Sequence, residues 1–430
     1  MTNAISFFYN DNYLIQVFFS LLNLRHLLCA IEIRELGSLT AASKHMHLSQ
    51  SALTQGINKI ENAIGFLLFD RTTSGMLVTP IGDRFLSRAT RAFQHLYNFA
   101  TSIYPADKNK QQSFVRSVTA KQLQALVKIA ETHSYTGAAE RLNLSQPSLH
   151  KSIKNLEQLC SQTLLNRSPV GVEPTWRARQ LTRYASLFFV EIEQGLEELR
   201  ESDGRMNGAI RIGSLPLSSS AIVPNAVLSL LDTYPLAQIR IIDGPYDEQL
   251  NALLHGQLDV IVGALRHPVP HVDIAQYKLF DDPLCIVAKA DHFITDVSDL
   301  SDQLLQELEW VVPSKGVPSR QVFDDIFASR GLPVPMKIIE CSSLAAIRGI
   351  LLNSERVSLL PARQMDIEIS NKLLSVCPAS LPETQREIGL TVRKAWYPTS
   401  VQKQFLRIVE SAHLTKQDLL HTIYAAMQLK

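Results

Sequence analysis

Five side chains on one short stretch of this 430-residue chain suit a surface that reads nucleic acid: Gln146, Ser148, His150, Lys151 and Lys154. Amides and hydroxyls exchange hydrogen bonds with base edges in a major groove, while cations neutralise phosphates. The spacing places all five on the polar side of a helix whose opposite side carries Leu149, Ile153 and Leu156 at i, i+4 and i+7. Ser152 and Asn155 lie with them, and no carboxylate interrupts the set before Glu157. On these residues alone, an ordinary surface helix beside a turn fits equally well.

The elements that hold this surface follow from the flanking residues. Ala138, Ala139 and Leu142 recur at helical spacing, the pattern breaks at Asn143 and Leu144, and Ser145 can cap a second helix. Pro147 is tolerated in that helix's first turn, where backbone N–H groups lack intrahelical partners. Thr136 to Glu157 therefore reads as two short helices meeting at a tight turn. Thr40 to Glu61 repeats the stretch 96 residues earlier, and the register continues without a gap through Arg71 and Arg167, Gly75 and Gly171, Thr79 and Thr175. Such a repeat is an internal duplication. In the first copy the outward positions are Gln50, Ala52, Thr54, Gln55 and Asn58.

Both copies resemble the winged helix-turn-helix of LysR-type transcriptional regulators. Copy one carries the motif residues Ser49-Gln50, Ile60-Glu61, Ile64-Gly65, Leu68-Phe69-Asp70-Arg71 and Val78-Thr79-Pro80-Ile81-Gly82; copy two carries Ser145-Gln146-Pro147, Leu156-Glu157 and Leu164-Leu165-Asn166-Arg167. The resemblance covers most of the chain. It implies binding to double-stranded DNA, a small-molecule effector, homo-oligomers and RNA polymerase as a further partner. Each copy also departs from the pattern. Ser51 replaces the helix proline in copy one, and Gln55 and Asn58 stand where copy two has Lys151 and Lys154. In copy two Pro174 and Ala178 replace the wing's usual Leu and Gly, and Ser161 replaces the glycine after the third helix. Ser74 and Val170 occupy the place of the usual wing arginine. A ligand-binding adaptor that has lost productive DNA binding is therefore the alternative reading.

Composition sets the wider bounds. A chain with 46% hydrophobic and 19% charged residues is an ordinary globular protein with room for two or three domains. The net charge of +1 hides an asymmetry: residues 24–82 hold five Lys/Arg against four Asp/Glu, and residues 120–178 hold seven against four. The five cysteines form no C-x-x-C pair, which suits a reducing cytoplasm. Residues 1–22 are apolar but lack a basic leader region and are broken by Asn10, Asp11, Asn12 and Gln16, so neither a signal peptide nor a membrane span is expected. They read as an extra amphipathic segment or as a start assigned too early.

The expected order is an extension (1–22), a first head (23–82), a first linker helix (83–104), a polar linker (105–117), a second head (118–177) and a second linker helix (178–205). Leu86, Ala89, Phe93, Leu96, Ala100 and Ile103 alternate spacings of three and four, as a coiled-coil seam does. Leu181, Tyr184, Phe188, Ile192, Leu196 and Leu199 form a second stripe. One chain thus holds the parts that the resemblance assigns to two, and an internal pseudo-dimer of heads is expected.

After a break at Gly204 to Gly208, strands and helices alternate from Ala209, which predicts a parallel α/β sheet. Gly208-Ala209-Ile210-Arg211-Ile212-Gly213, Gly256-Gln257-Leu258-Asp259-Val260 and Leu359-Leu360-Pro361 resemble the effector-binding domain of the same family. The resemblance implies a periplasmic-binding-protein-like fold for 207–430, with lobe one at 207–265 and 395–430, lobe two at 268–394, and crossovers near Ala264 to His267 and Arg393 to Tyr397. Ligands of such sheets sit beyond the carboxyl ends of strands, at helix N-termini. Ser214, Ser218, Ser219 and Ser220 hold that place in lobe one, and Ser314, Lys315, Ser342 and Ser343 hold it in lobe two. Any one of these serines also reads as a helix cap. Gly213-Ser214-Leu215-Pro216 and Asp243-Gly244-Pro245 resemble the branch that includes regulators of sugar uptake, and an organic acid would use the same helix ends.

No catalytic constellation is present: the sequence has no G-x-G-x-x-G after a strand, no P-loop and no G-x-S-x-G. His45 with His47, and His267 with His271, lack the helical H-x-x-x-H spacing of a zinc site. No cofactor or metal is expected.

Overall fold

The computed structural model describes residues 22–72, 75–169, 171–201, 208–220, 222–379, 381 and 384–413. The extension over 1–21, Ser74, Val170, residues 204–207 of the expected break, the Ser219 side chain and the amphipathic stretch Asp418 to Gln428 lie outside the described residues. The chain divides between Gly208 and Ala209 into two compact units.

In the first unit, head one consists of helices α1 (Leu24–Leu36), α2 (Leu39–Met46) and α3 (Gln50–Ile64), with a wing of strands β1 (Phe69–Thr72) and β2 (Gly75–Val78). Thr79 then starts the long helix α4 (Pro80–Ile103): its hydroxyl accepts from the Gly82 N–H at 2.9 Å, and Pro80 fills the first turn. Residues 105–117, expected as a polar linker, instead contain helix α5 (Lys108–Ser117). Asp107 caps it, and Phe114 and Val115 are buried, with the Phe114 ring 5.5 Å from that of Phe99 on α4. A single apolar pair in a polar decapeptide is enough to dock the helix, but too little to show a period.

Head two repeats the plan with α6 (Ala120–Thr132), α7 (Tyr135–Leu142), α8 (Gln146–Cys160), β3 (Leu165–Ser168) and β4 (Gly171–Pro174), followed by the long helix α9 (Trp176–Glu201). The two long helices pack on each other, and one hydrophobic core runs through both heads and both linker helices. Phe93 of α4 meets Phe188 of α9 edge to face at 5.4 Å. The pseudo-dimer of heads therefore forms within one chain.

The second unit holds two five-stranded sheets. The first joins β5 (Ala209–Ser214), β6 (Gln238–Asp243) and β7 (Val260–Ala264) in parallel, with β8 (Ile274–Pro283) and β14 (Gln385–Arg393) antiparallel at one side, in the order β6-β5-β7-β14-β8. The second has the order β11-β10-β12-β9-β13, made from β9 (Cys285–Lys289), β10 (Glu309–Val312), β11 (Ile338–Glu340), β12 (Arg356–Leu360) and β13 (Leu374–Val376). The lobe boundaries therefore differ from the expected ones. Strands Ile274–Pro283 and Gln385–Arg393, expected in lobe two, pair along their whole length in the first sheet. The chain passes to the second sheet at Leu284 and returns between Val376 and Gln385. Residues 222–233 and 400–413 form helices that close the core of the first lobe through Val223, Leu230, Phe405 and Leu406.

Candidate nucleic-acid interface and effector cleft

The outward face of α8 begins at Ser145, whose hydroxyl accepts from the Ser148 N–H at 3.4 Å and lies 2.8 Å from the Ser148 hydroxyl. Leu149, Ile153 and Leu156 are buried, which leaves Gln146, Ser148, His150, Lys151 and Lys154 exposed. His150 stacks on Tyr135 of α7, with ring centroids 3.7 Å apart and planes 19° from parallel, so its imidazole is held against the first residue of α7. Lys151 and Lys154 have no carboxylate at ion-pair distance among the described residues.

On α3 of head one, Gln50, Ala52 and Gln55 are exposed, while Thr54 and Asn58 are half-buried. Three of these side chains are already engaged. Gln50 Nε2 donates to Thr40 Oγ1 at 3.0 Å, Thr54 Oγ1 donates to the Gln50 carbonyl at 2.9 Å, and Arg71 of the wing donates to Asn58 Oδ1. At its assigned positions head one thus presents neutral, largely internally bonded side chains, with the exposed Lys59 and Arg71 beside them, where head two presents Lys151 and Lys154.

Two glutamates that the sequence reading named only as motif residues fix the wings. The buried Glu61 carboxylate accepts from the Leu68 and Phe69 N–H groups at 2.7 and 3.1 Å, and Glu157 does the same for Leu164 and Leu165 at 2.8 and 3.3 Å. The glutamate closing each recognition helix therefore sets the first wing strand beside it. Gly65 and Ser161 follow the two helices in the left-handed region, at φ of 79° and 51°. His47 ends α2 at φ 52°, and His45 pairs with Glu32 at 2.7 Å. Burial pushes the Cys29 thiol up to about 11 and the Cys160 thiol up to about 12, which keeps both protonated near neutral pH.

In the second unit, the expected effector residues gather at the carboxyl ends of parallel strands. Ser214 ends β5, and Ser218 lies in the short helix α10 (Pro216–Ser220) that follows. Both are buried, and their hydroxyls are 3.0 Å apart. The Ser218 hydroxyl also sits 2.6 Å from the Val262 carbonyl and 2.8 Å from the Leu215 carbonyl, so it pins the turn to β7. Ser220 is exposed at the end of the same turn.

In the other lobe, the Ser342 hydroxyl lies 3.1 Å from both the Ser314 N–H and the Ser314 hydroxyl, joining the ends of β10 and β11. Ser343 caps the helix over Leu344–Leu352, and Lys315 is exposed with no ion-pair partner among the described residues. The Pro216–Ser220 turn touches the turn at Ala362–Met365, which follows β12, so the strand ends of the two lobes face each other.

Sequence reasoning missed Arg266, two residues beyond β7. Its guanidinium lies 4.5 Å above the Tyr246 ring, and Nη1 is buried with no hydrogen-bond partner in the structure. Burial lowers its pKa below the ordinary value, Tyr246 and Asp247 oppose that, and the like charge of Arg386 adds to it. No motif marks it, because the loop after a strand gives no period.

Comparison with known proteins matches these two units. The model of bacterial regulatory helix-turn-helix proteins of the lysR family matches residues 24–83 and again residues 120–179, and the LysR substrate binding domain matches residues 203–413. The chain is 32% identical over 378 residues to the HTH-type transcriptional regulator GalR of Pseudomonas putida, covering 86% of this chain and 92% of GalR. A match that long reaches into the first head as well as the second. PcaQ of Agrobacterium fabrum is 24% identical over 292 residues, 68% of this chain and 94% of PcaQ. A full-length, singly substituted OxyR from Pseudomonas aeruginosa, 22% identical, shares the fold over 69% of this chain and 98% of its own, with a TM-score of 0.53. With two LysR heads on one shared core and a substrate-binding domain following them in the sequence, the chain belongs to the LysR family of transcriptional regulators, proteins that bind DNA and respond to effectors rather than catalyse reactions.

Proposed function

We propose that this regulator grips its operator chiefly through head two, with Gln146, Ser148 and His150 at base edges and Lys151 and Lys154 on phosphates. The uncompensated cations on an exposed helix carry this reading. Gln50, Ala52, Thr54, Gln55 and Asn58 are assigned the corresponding contacts of head one. The regulator acts in the cytoplasm as a homo-oligomer, with RNA polymerase as the machinery it controls.

The effector is a sugar or an organic acid, held where the strand ends of the two lobes meet. Ser220, Ser314, Lys315, Ser342, Ser343 and Arg266 are assigned to that place, while Ser214 and Ser218 shape the turn. An unpaired Lys315 and a half-buried Arg266 favour the acid. Effector binding acts by favouring one lobe arrangement over another.

A nuclease footprint on the DNA flanking its own gene, repeated over a salt series, tests the DNA reading. Lys151→Ala with Lys154→Ala should weaken binding across all sequences and reduce the salt slope by about one for each phosphate no longer neutralised. An unchanged affinity and slope would move the DNA grip to head one. A folded protein that protects nothing at any salt would instead favour the ligand-binding adaptor.

A further inference from the structure

The seam between the linker helices is charged asymmetrically. The 96-residue offset makes Arg88 of α4 equivalent to Tyr184 of α9, and His95 of α4 equivalent to Glu191 of α9. Arg88 Nη1 meets Glu191 at 3.1 Å, and in the mirrored position His95 stacks on Tyr184 at 6.5 Å. Arg88 Nη2 also donates to Glu198 at 2.6 Å, and Nη1 donates to Gln194 Oε1 at 3.1 Å. If two copies of α4 paired in this geometry, Arg88 would face His95. Two copies of α9 would set Glu191 against Tyr184 and Leu187, the equivalents of Arg88 and Arg91, which both bond it here. Either like pairing buries a charge without its partner, which is strongly unfavourable in an interior, and buried polar groups at helix seams are known to select partner and register. Head one therefore pairs with head two.

The two heads differ where they face outward. Of the assigned positions only Gln50 and Gln146 carry the same residue; Ala52, Thr54, Gln55 and Asn58 stand against Ser148, His150, Lys151 and Lys154. We propose that one chain reads two unlike half-sites on duplex DNA in a fixed order, one through Gln50, Ala52, Thr54, Gln55 and Asn58 of head one and the other through Gln146, Ser148, His150, Lys151 and Lys154 of head two. This inference rests on the operator-binding reading above. Should chains associate, the unlike pair becomes the repeating unit.

The test is a selection of bound duplexes from a random library by the full-length protein, followed by footprints of head-specific variants. Recovered duplexes should hold two different half-sites, and synthetic duplexes with either half-site duplicated as an inverted repeat should bind at least about tenfold more weakly. Lys151→Ala with Lys154→Ala should erase protection of one half-site, and Gln50→Ala with Gln55→Ala protection of the other. An inverted repeat bound as tightly as the unlike pair would overturn the inference while leaving DNA binding intact, as would loss of the same half-site by both variants. Recovery of no duplex would overturn the operator-binding reading itself, and this inference with it.

Discussion

Arg88 keeps its charge away from water because the facing helix supplies carboxylates. Burial works against the charged form, but hydrogen bonds and attraction from Glu198 and Glu191 outweigh it and hold the guanidinium above its ordinary pKa. The side chain is 1% exposed, Glu191 8% and Glu198 17%, so removal of the cation would deprive Glu198 of its partner and leave Glu191 to Arg91, 3.4 Å away. Arg88→Ala should cost about 3–5 kcal/mol, read as a lower midpoint in denaturant unfolding. Ser161 is the opposite case. It occupies a left-handed helix end where head one has Gly65, and a side chain there costs about 1–2 kcal/mol relative to glycine. Ser161→Gly should raise thermal stability without altering DNA affinity, measurable by calorimetry and by a binding titration.

Among the elements, α5 has the most leverage for its length. It packs on α4 and α1 and reaches α8, and the Tyr104 hydroxyl at its approach donates to the Leu159 carbonyl at 3.0 Å. Phe114→Ala should leave a cavity worth about 3–5 kcal/mol and open residues 105–118 to limited proteolysis before either head is cut. The sequence showed the heads well, because Leu149, Ile153 and Leu156 repeat a period already present at Leu53, Ile57 and Ile60. It showed α5 poorly, because Phe114 and Val115 are adjacent and define no face. The lobe boundary was hidden for another reason: Ile274–Pro283 finds its partner Gln385–Arg393 a hundred residues away, and no local pattern records that pairing. The roles of Ser218 and Arg266 depend likewise on tertiary neighbours, the Val262 carbonyl and the Tyr246 ring.

For the molecule as a whole, effector binding can be read as stability. A ligand that binds only the folded protein stabilises it by about 2.7 kcal/mol at a hundredfold excess over its Kd. A thermal-shift series of sugars and small carboxylates should therefore show its largest shift with a carboxylate, and Lys315→Ala should reduce that shift while leaving the unliganded midpoint unchanged. A shift confined to sugars, insensitive to Lys315→Ala, would exclude the acid.

The pairing of heads within one chain also alters how the regulator responds to its own abundance. When two heads must come from separate molecules, their union is lost on dilution, and occupancy of a site needing both falls with the square of concentration. Here the second head is already tethered and packed beside the first, so the pair survives at any copy number. Binding to a single pair of half-sites then rises with the first power of the chain's concentration, which suits a regulator kept at a few copies per cell.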